Sequence, residues 1–276
     1  MKRNEMKNLK LNYHMVEACN YGCKFCFAEF GKIKMLNNEE MHKVVEKTAS
    51  SGYFKAVNFA GGEPFLVKEL PNLIKHAKQL GLTTSVITNG SKLNKNMLDA
   101  ILPYLDCLGI SVHSFIDATK NKIGFCKKNG NTVNNEQLTF ICNYVRQHSD
   151  CKLKLNTVVN AFNKDEELAS HVKLLKIDRW KIMRCKLFNT NSPLLINDEE
   201  WHNFLELNKG VRGSVIESDM QNSYIIVNPA GDLITEGFQN TLYDRIGSVI
   251  YDDMGSLLAK LPFNNVVYHK RYDERA

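Results

Sequence analysis

The chain has 276 residues, of which 43% are apolar and 24% are charged, and its formal net charge is +6. This length allows one domain of α/β-barrel size or two small domains. No apolar run reaches about 18 residues, which excludes a membrane-spanning helix, and the basic start lacks the apolar stretch of a signal peptide. We therefore expect a cytoplasmic protein whose scattered cysteines stay reduced.

Stretches with strand-like and helix-like patterns alternate along the chain. Strands are predicted at residues 9–16, 56–59, 83–88, 107–112, 153–159 and 179–185. Helices are predicted between them, with starts at Asn37 or Asn38, Pro71, Asn94 and Asn163 and a further helix through Leu138. Residues 120–132 are predicted to be a polar loop.

Six strand–helix repeats predict parallel strands joined by right-handed crossovers, and hence an α/β fold of the partial (βα)6 TIM-barrel type. We assign residues 1–187 to this barrel core. Residues 188–276 are predicted to cap the open barrel as a C-terminal extension within the same structural unit, with a helix around Trp201 and a strand at residues 224–227. In such barrels the chemistry lies on loops at the carboxyl ends of the strands.

Three cysteines follow the first strand in the spacing C-x3-C-x2-C, at Cys19, Cys23 and Cys26. This spacing brings three thiolates within reach of one metal centre. A structural zinc site takes four protein ligands, whereas a 4Fe–4S cluster held by three cysteines leaves one iron open to a substrate or cosubstrate. The alternatives are a zinc site completed by His14 and three unrelated thiols.

The second predicted strand ends in the sequence Gly61-Gly62-Glu63-Pro64. Adjacent glycines let the backbone approach a ligand closely, and the neighbouring carboxylate is suited to bind an ammonium group. An isolated motif of this kind would be an ordinary turn after a strand. Here it follows the cysteine motif by one βα unit, which favours a functional role.

The fifth and sixth predicted strands alternate apolar and polar residues. Their polar positions are Lys154, Asn156, Arg179 and Lys181. Successive strand residues point to opposite faces, and helices cover the outside of a barrel, so we expect these four side chains to face the interior. Buried cations require an anionic partner, which favours a phosphate-rich substrate. The alternative is that some of them reach solvent at a strand end.

The cysteine motif followed by Gly-Gly-Glu-Pro resembles the radical S-adenosylmethionine (radical SAM) enzymes, and the wider pattern resembles one family among them, viperin and its prokaryotic relatives. The matching segments keep the family's order from about residue 11 to residue 227. They are Asn12-Tyr13-His14, residues 19–21 and 25–27, Asn58-Phe59, residues 61–66, Asn89-Gly90-Ser91, Leu105-Asp106, Lys154 with Asn156, Asn163, residues 179–181 and Ser223-Tyr224.

This resemblance implies two cofactors, a 4Fe–4S cluster and S-adenosyl-L-methionine. Cys19, Cys23 and Cys26 are the implied ligands of the cluster. The implied S-adenosylmethionine pocket has Phe25 against the adenine and the Gly-Gly-Glu-Pro turn on the methionyl amine, and its members are Phe25, Gly61, Gly62, Glu63, Asn89 and Ser114.

The resemblance also implies an enzyme that converts CTP, UTP or GTP to the 3′-deoxy-3′,4′-didehydro nucleotide, with loss of water, after a 5′-deoxyadenosyl radical takes the 4′ hydrogen. Such a product is an antiviral chain terminator. Hydrogen donation is implied for Tyr224, whose alternative role is a packed aromatic. The implied substrate-binding residues are Asn12, Lys154, Asn156, Arg179 and Lys181. Expected partners are the nucleoside triphosphate and a flavodoxin-type or ferredoxin-type electron donor, without direct nucleic-acid or membrane binding.

Several positions depart from the family pattern and leave the base preference open. The family's phosphate-contacting lysine falls on Ala56, and Lys55, one residue earlier, would face the other side of its strand. His113 stands where an aspartate is common, residues 123–126 lack the family's arginine, and the segment 27–32 lacks the usual histidine. The amphipathic N-terminal membrane helix of the animal enzyme is also missing.

Two other functions stay open at this point. A radical SAM enzyme that modifies a peptide or RNA is one, although only Cys185 lies beyond residue 151 to serve an auxiliary cluster, and no basic, aromatic-rich stripe is evident. A non-enzymatic zinc or interaction module is the other, and it would leave the Gly-Gly-Glu-Pro turn unexplained.

Overall fold

The computed structural model describes residues 6–26, 28, 33–186, 192–217, 222–236 and 243–273. The chain divides into two units. The first comprises Met1–Ala18, Ala28–Val86 and Asp219–Ala276, and the second comprises Cys19–Phe27 and Ile87–Ser218. Phe27 and most of the segment 27–32, for which the sequence predicts a departure from the family, lie outside the described residues.

The first unit is built on a mixed sheet in the order β10-β9-β8-β1-β2-β3. Its strands are β1 Leu9–His14, β2 Phe54–Ala60, β3 Thr83–Thr88, β8 Ile225–Val227, β9 Asp232–Glu236 and β10 Tyr243–Ser248. β8, β1, β2 and β3 are parallel, and β9 and β10 add antiparallel strands beside β8. The helices that belong to this unit are α1 Asn38–Ser50, α2 Leu70–Gln79, α8 Met254–Lys260 and α9 Asn265–Asp273.

Local sequence explains the first of these helices. Asn37 forms a capping box with Glu40, which satisfies two backbone N–H groups at the start of α1. Four residues at helical spacing are then buried, namely Met41, Val44, Val45 and Thr48. The amphipathic pattern read from the sequence therefore places α1 correctly.

The second unit contains four parallel strands in the order β4-β5-β6-β7. They are β4 Cys107–Ser111, β5 Lys152–Val159, β6 Arg179–Arg184 and β7 Ser214–Glu217. The helices of this unit are α3 Lys95–Ile101, α4 Asp117–Lys122, α5 Asn135–His148, α6 Ala169–Leu174 and α7 Asp198–Leu207. The chain passes from the first unit into the second within β3.

The six strands predicted from the sequence are confirmed, and their ends shift by at most two residues. Two local predictions are wrong, the start of a loop and the start of a helix. The predicted polar loop at residues 120–132 begins inside α4, which is too short to show a clear apolar period. The fifth predicted helix does not start at Asn163, because α6 begins six residues later at Ala169.

The predicted C-terminal extension adds strands to both units. β7 pairs with β6, while β8 pairs with β1 and continues through a hairpin into β9. The boundary between residues 187 and 188 lies outside the described residues, so the division at that point and the capping role stay predictions. Among the described helices, none has the length and the apolar character needed to cross a bilayer.

Candidate active site

The cysteine loop is held against the segment after α4 by main-chain hydrogen bonds within the second unit. Gly22 N donates to Gly124 O at 3.1 Å, and Lys24 N donates to Ile123 O at 3.0 Å. Gly124 has φ of +77°, and a Cβ atom there would collide with Gly22 O. The glycine is therefore required by a close backbone approach as well as by its conformation.

An apolar cluster supports the same loop. Tyr21 and Phe125 form an edge-to-face pair with ring centroids 5.0 Å apart, and Ile123 completes the buried cluster. Cys23 and Phe25 pack against it. The Tyr21 hydroxyl accepts a hydrogen bond from Val133 N at 3.0 Å. The loop thus has a fixed backbone that presents its thiols from a rigid base.

The three cysteine side chains differ in exposure, since Cys19 and Cys26 are exposed and Cys23 is half-buried. Burial raises the pKa of the Cys23 thiol, and the nearby Cys26, Cys19 and Cys126 raise it further. Within the described parts of the chain, no three His, Cys, Asp or Glu side chains form a closed metal-binding group. Three thiols on one loop nevertheless fit a cluster that takes only three protein ligands.

Asn89, predicted to line the cofactor pocket, contacts the cysteine loop directly. Its Nδ2 donates to Asn20 Oδ1 at 3.0 Å and lies 3.9 Å from Cys19 Sγ. Tyr21 N also donates to Cys19 Sγ, at 3.4 Å. Asn20 in turn donates to Ser91 Oγ at 2.8 Å. Hydrogen bonds to a cysteine sulfur favour its thiolate form, which is the form that ligates iron.

Phe25, predicted to pack on adenine, stands edge-to-face against the His113 ring at 4.8 Å. His113 is buried, and this burial lowers its pKa to about 3. Its Nδ1 accepts a hydrogen bond from Val158 N at 3.0 Å, which places the proton of the neutral ring on Nε2. His113 therefore acts as an uncharged support for Phe25.

Asn163 is a positioning residue that the sequence did not identify as such. Its Nδ2 donates to His113 O at 2.6 Å and to Val158 O at 3.0 Å, and its Oδ1 accepts from Asn160 N at 2.7 Å. The side chain is fully buried. Its match to the family pattern was the sequence signal for such a role. The sequence also predicts Asn163 as a helix cap, and this prediction is wrong because α6 starts at Ala169.

Ser114, also predicted in the cofactor pocket, is buried and closes a local turn. Its Oγ accepts from Ile116 N at 2.9 Å and lies 3.3 Å from Ile116 O. A hydroxyl group has two acceptor lone pairs, so this turn leaves one of them for a ligand.

In the first unit, the Gly61-Gly62 pair lies against the segment that leads out of β1. Gly62 N donates to Val16 O at 2.6 Å, and Glu63 N donates to Ala18 O at 2.9 Å. A Cβ atom on Gly61 would collide with Val16 O, and one on Gly62 would collide with Ala18 O. These glycines are therefore required by contact with protein backbone, a reason distinct from the ligand approach expected from the sequence.

Glu63 has no exposed surface. Its Oε1 accepts a hydrogen bond from Phe65 N at 3.1 Å, which caps a short 3-10 turn at Pro64–Leu66. A buried carboxylate held by a backbone N–H is an oriented negative charge. This arrangement is suited to bind an ammonium group, as the sequence predicts.

Asn12 belongs to a chain of side-chain hydrogen bonds that crosses the first unit's sheet. Ser85 Oγ donates to Asn58 Oδ1 at 2.9 Å, and Asn58 Nδ2 donates to Asn12 Oδ1 at 3.2 Å. Asn12 Nδ2 then donates to Ile225 O at 3.3 Å. One N–H and one lone pair of the Asn12 amide are thus already used within the protein, and these bonds fix the orientation of the amide.

In the second unit, the four polar positions of β5 and β6 share one face. Lys154 lies in register with Arg179, and Asn156 lies in register with Lys181. On the opposite face, the fully buried Trp180 donates its Nε1–H to Thr157 Oγ1 at 2.9 Å. The predicted alternation of polar and apolar residues along β5 and β6 is therefore confirmed.

Asn156 stands out among these residues because it is 4% exposed. Neither atom of its side-chain amide makes a hydrogen bond within the described part of the chain. Lys181 is buried beside it, while Lys154 and Arg179 are half-buried. A buried amide with unused donors and acceptors is expected where a ligand supplies the missing partners.

Lys55 is exposed, whereas Ala56 is buried. The register of the first unit places Lys10 of β1 beside Ala56 and Asn12 beside Asn58. Lys10 therefore shares the face of Asn12, and Lys55 lies on the other face of its strand, as its one-residue offset predicts. Tyr224 precedes β8 by one residue and is half-buried.

The predicted site residues are divided between the two units. The set in the first unit is Asn12, Gly61, Gly62, Glu63 and Tyr224. The set in the second unit is Cys19, Cys23, Phe25, Cys26, Asn89, Ser114, Lys154, Asn156, Arg179 and Lys181. The individual roles of all these residues stay predictions.

Comparison with known proteins identifies the family. The model of the radical SAM superfamily matches residues 13–175, more than half of the chain. An S-adenosylmethionine-dependent nucleotide dehydratase from Selenomonas ruminantium is 33% identical over 271 residues, which cover 95% of this chain and 98% of that protein. A protein of the same name from Flammeovirga pacifica is 32% identical over 266 residues, with 89% and 90% coverage.

Solved structures show the same fold. SuiB of Streptococcus suis, bound to S-adenosylmethionine, superposes with a TM-score of 0.70 over 96% of this chain and 68% of its own, at 13% identity. Escherichia coli coproporphyrinogen III oxidase, a radical SAM enzyme, has a TM-score of 0.54 over 73% of this chain and 51% of its own, at 14% identity. The predicted fold class is confirmed, and at these identities the likeness extends to the fold alone.

These matches confirm the resemblance to the viperin family and the predicted cofactors, a 4Fe–4S cluster and S-adenosylmethionine. They also confirm that the protein is an enzyme, so the non-enzymatic zinc module is excluded. The chain is a member of the S-adenosylmethionine-dependent nucleotide dehydratase family of radical SAM enzymes.

Proposed function

We propose that this enzyme removes water from CTP, UTP or GTP to form the 3′-deoxy-3′,4′-didehydro nucleotide, an antiviral chain terminator. Family membership supports a nucleotide dehydration. The observation that supports a triphosphate substrate is the shared face of β5 and β6, which carries Lys154, Arg179 and Lys181 together with the buried amide of Asn156.

The cofactors, when bound, supply the 5′-deoxyadenosyl radical that takes the 4′ hydrogen of the nucleotide. Cys19, Cys23 and Cys26 would hold the cluster on the loop that Gly124 and the Tyr21 cluster keep in place. Six residues would hold S-adenosylmethionine, namely Phe25, Gly61, Gly62, Glu63, Asn89 and Ser114. Among them, the buried carboxylate of Glu63 is suited to the methionyl amine.

The triphosphate role follows from charge and geometry. A nucleoside triphosphate carries several negative charges, and Arg and Lys are the side chains that bind phosphate oxygens, Arg in a bidentate manner and Lys as a point charge. Register places Arg179 beside Lys154 on adjacent strands, so one phosphate chain can contact both. Partial burial strengthens such contacts, because less water screens them.

Asn156 and Asn12 would orient the substrate. Asn156 has an unused donor pair and an unused acceptor among its described neighbours, which fits hydrogen bonding to the sugar or a phosphate. Asn12 is fixed by Asn58 and Ile225 and has one further N–H and one further lone pair. Tyr224 would return a hydrogen through its phenol group.

The proposed partners are the nucleotide and a small electron carrier of the flavodoxin or ferredoxin type. We propose a cytoplasmic enzyme that binds neither nucleic acid nor membrane directly. Each turnover consumes two electrons and one proton, since one electron is needed to cleave S-adenosylmethionine and one to complete the alkene after the 3′-hydroxyl leaves as water.

Anaerobic turnover with one nucleotide at a time tests this function. The cluster-loaded enzyme receives S-adenosylmethionine, a reductant and one of the four ribonucleoside triphosphates, and the products are analysed by mass spectrometry. A product lighter by one water, with 5′-deoxyadenosine rising only for that nucleotide, supports the proposal and names the base.

Variants of the cationic residues on β6 test the triphosphate assignment directly. Arg179→Ala and Lys181→Ala should raise the KM for the nucleotide while iron content stays unchanged. Unchanged turnover in both variants would overturn the triphosphate assignment. Background levels of 5′-deoxyadenosine with every nucleotide would instead favour the peptide-modifying or RNA-modifying alternative.

A further inference from the structure

Two histidine rings meet on the helical side of the first unit, apart from every residue used above. His42 lies on α1 and His76 lies on α2. Their Nδ1 atoms are 2.6 Å apart, and their ring centroids are 4.8 Å apart. Each side chain is about a quarter exposed, at 27% and 25%. Solvent and small ions can therefore reach the pair.

The outer nitrogen of each ring faces a carboxylate. His42 Nε2 lies 2.9 Å from Glu69 Oε1, and His76 Nε2 lies 3.6 Å from Glu46 Oε1. Asn38 Nδ2 donates to the other oxygen of Glu69 at 3.2 Å and holds that carboxylate in place. Histidines that ligate a metal commonly donate their second ring N–H to a carboxylate, as His42 can to Glu69, whereas the 3.6 Å contact of His76 with Glu46 is longer than a hydrogen bond.

Proton accounting shows how this pair can take up a cation. A neutral imidazole has one N–H and one lone pair. His42 Nε2 is within hydrogen-bond range of Glu69, so the proton of a neutral His42 ring belongs there and its Nδ1 presents a lone pair. His76 Nε2 is beyond hydrogen-bond range of Glu46, so a neutral His76 can carry its proton on Nδ1 and donate it to His42 Nδ1. When the His76 proton lies on Nε2 instead, both Nδ1 atoms present lone pairs to each other, which is the arrangement that ligates a cation.

We propose that His42 and His76 form a binding site for a divalent late transition-metal ion of the zinc type, ligated by the two Nδ1 atoms. Glu69 orients the His42 ring, and water completes the coordination, because no third protein ligand converges on the pair in the described residues. Imidazole nitrogen is a preferred ligand of such ions.

The required movement is small. Zn–N distances of about 2.0–2.1 Å with a tetrahedral angle place two ligand nitrogens about 3.3 Å apart. The Nδ1 atoms at 2.6 Å would thus separate by less than about 1 Å, which rotation of two partly exposed side chains provides. Because the ligands come from different helices, the bound ion would join α1 to α2.

Zinc binding to the cluster-loaded enzyme tests this site. Iron occupies the cysteine loop in that form, and iron content is measured alongside to show that zinc does not displace it. We compare wild type with His42→Gln, His76→Gln and a matched control, His202→Gln, which changes an exposed histidine on α7. The readouts are bound zinc after gel filtration, calorimetric affinity and the thermal unfolding midpoint.

We expect about one zinc per chain in wild type and in the control, with an affinity at least ~10-fold weaker in both His42→Gln and His76→Gln. Zinc should raise the thermal midpoint of wild type and of the control only, since a ligand that binds the native state stabilises it. The affinity should fall on acidification, because protons compete for the same nitrogens.

Glu69→Gln separates the site from general loss of structure. It retains both ligands and a hydrogen-bonding group, so zinc should still bind, with a weaker affinity. Equal zinc uptake in wild type and both ligand variants would overturn the proposal. Failure of wild type to bind zinc would also overturn it and would leave the pair as an N–H···N hydrogen bond.

Discussion

Asn156 on β5 lies in register with Lys181 on β6, and both side chains are buried on one face of the second unit. The amide of Asn156 makes no hydrogen bond to the described residues, and its neighbour is a lysine, a residue type suited to phosphate. A buried amide without partners lowers stability, and this cost is what the proposed contact with substrate would explain.

Asn156→Ala should therefore separate stability from activity. Removing an amide without partners should leave the free energy of unfolding of the nucleotide-free enzyme unchanged or slightly higher, because no buried hydrogen bond is lost. Turnover should fall by about 5-fold or more, since one hydrogen bond to substrate contributes about 1 kcal/mol or more. Thermal unfolding and kcat/KM for the nucleotide measure the two effects.

Asn163→Ala is the matched control for that variant. Its amide makes three hydrogen bonds, to His113, Val158 and Asn160, and it is fully buried. We expect a loss of about 2–4 kcal/mol of stability, because the variant leaves buried backbone groups without partners. Equal destabilisation by the two substitutions would contradict the assignment of Asn156 to substrate.

Lys10 is expected to replace the family lysine that is missing at Ala56. The two residues lie in register on β1 and β2, on the same face as Asn12. Lys10→Ala should raise the KM for the nucleoside triphosphate by about 10-fold, because one charged hydrogen bond to phosphate is lost. Lys55→Ala, on the opposite face of β2, should leave the KM unchanged. A wild-type KM in Lys10→Ala would show that Lys10 does not contact phosphate.

Glu63→Gln should weaken S-adenosylmethionine binding with little change in the fold. The variant's amide oxygen can still accept from Phe65 N, so the turn at Pro64–Leu66 keeps its cap. Loss of the negative charge should raise the Kd for S-adenosylmethionine by about 10- to 100-fold, which corresponds to one charge-assisted hydrogen bond. Calorimetry on the cluster-loaded enzyme measures it, and an unchanged Kd would remove Glu63 from the cofactor site.

Cys126 tests the number of cluster ligands. It is near enough to raise the pKa of Cys23, yet three ligands suffice for a cluster with an open iron. Cys126→Ser should retain the iron content and the brown absorption of wild type, whereas Cys23→Ser should lose both. Iron analysis after anaerobic reconstitution distinguishes these outcomes, and equal loss in the two variants would indicate four cysteine ligands.

Acid should destabilise the fold through two buried histidines. Burial lowers the pKa of His113 to about 3 and that of His14 to about 4, from an ordinary value of 6.5. Between about pH 6.5 and these values the unfolded chain binds protons that the folded chain does not, so stability falls as the pH falls. At pH 5 each of the two histidines should lower the free energy of unfolding by up to about 2 kcal/mol relative to pH 7.

Denaturant titrations at pH 7 and pH 5 measure this dependence. His113→Gln should show a smaller difference between the two pH values than wild type, because one titrating group is removed. His202→Gln, which changes an exposed histidine, should behave as wild type does. An identical pH dependence in all three proteins would contradict the buried, uncharged state of His113.

Several features of this protein were determined by local sequence alone. The spacing of Cys19, Cys23 and Cys26 predicts a cluster with three cysteine ligands, and the period of apolar residues placed the six parallel strands. The alternation along β5 and β6 put Lys154, Asn156, Arg179 and Lys181 on one face. These features depend on neighbouring residues, whose geometry is set by the backbone periods of strands and helices.

Other features required the tertiary structure. Gly61 and Gly62 lie against the backbone of residues 16–18, a segment more than forty residues earlier in the chain. The register that sets Lys10 beside Ala56, and the packing that brings His42 to His76, join positions on separate elements. Such contacts depend on how elements far apart in the sequence pack together, and no local pattern contains that information.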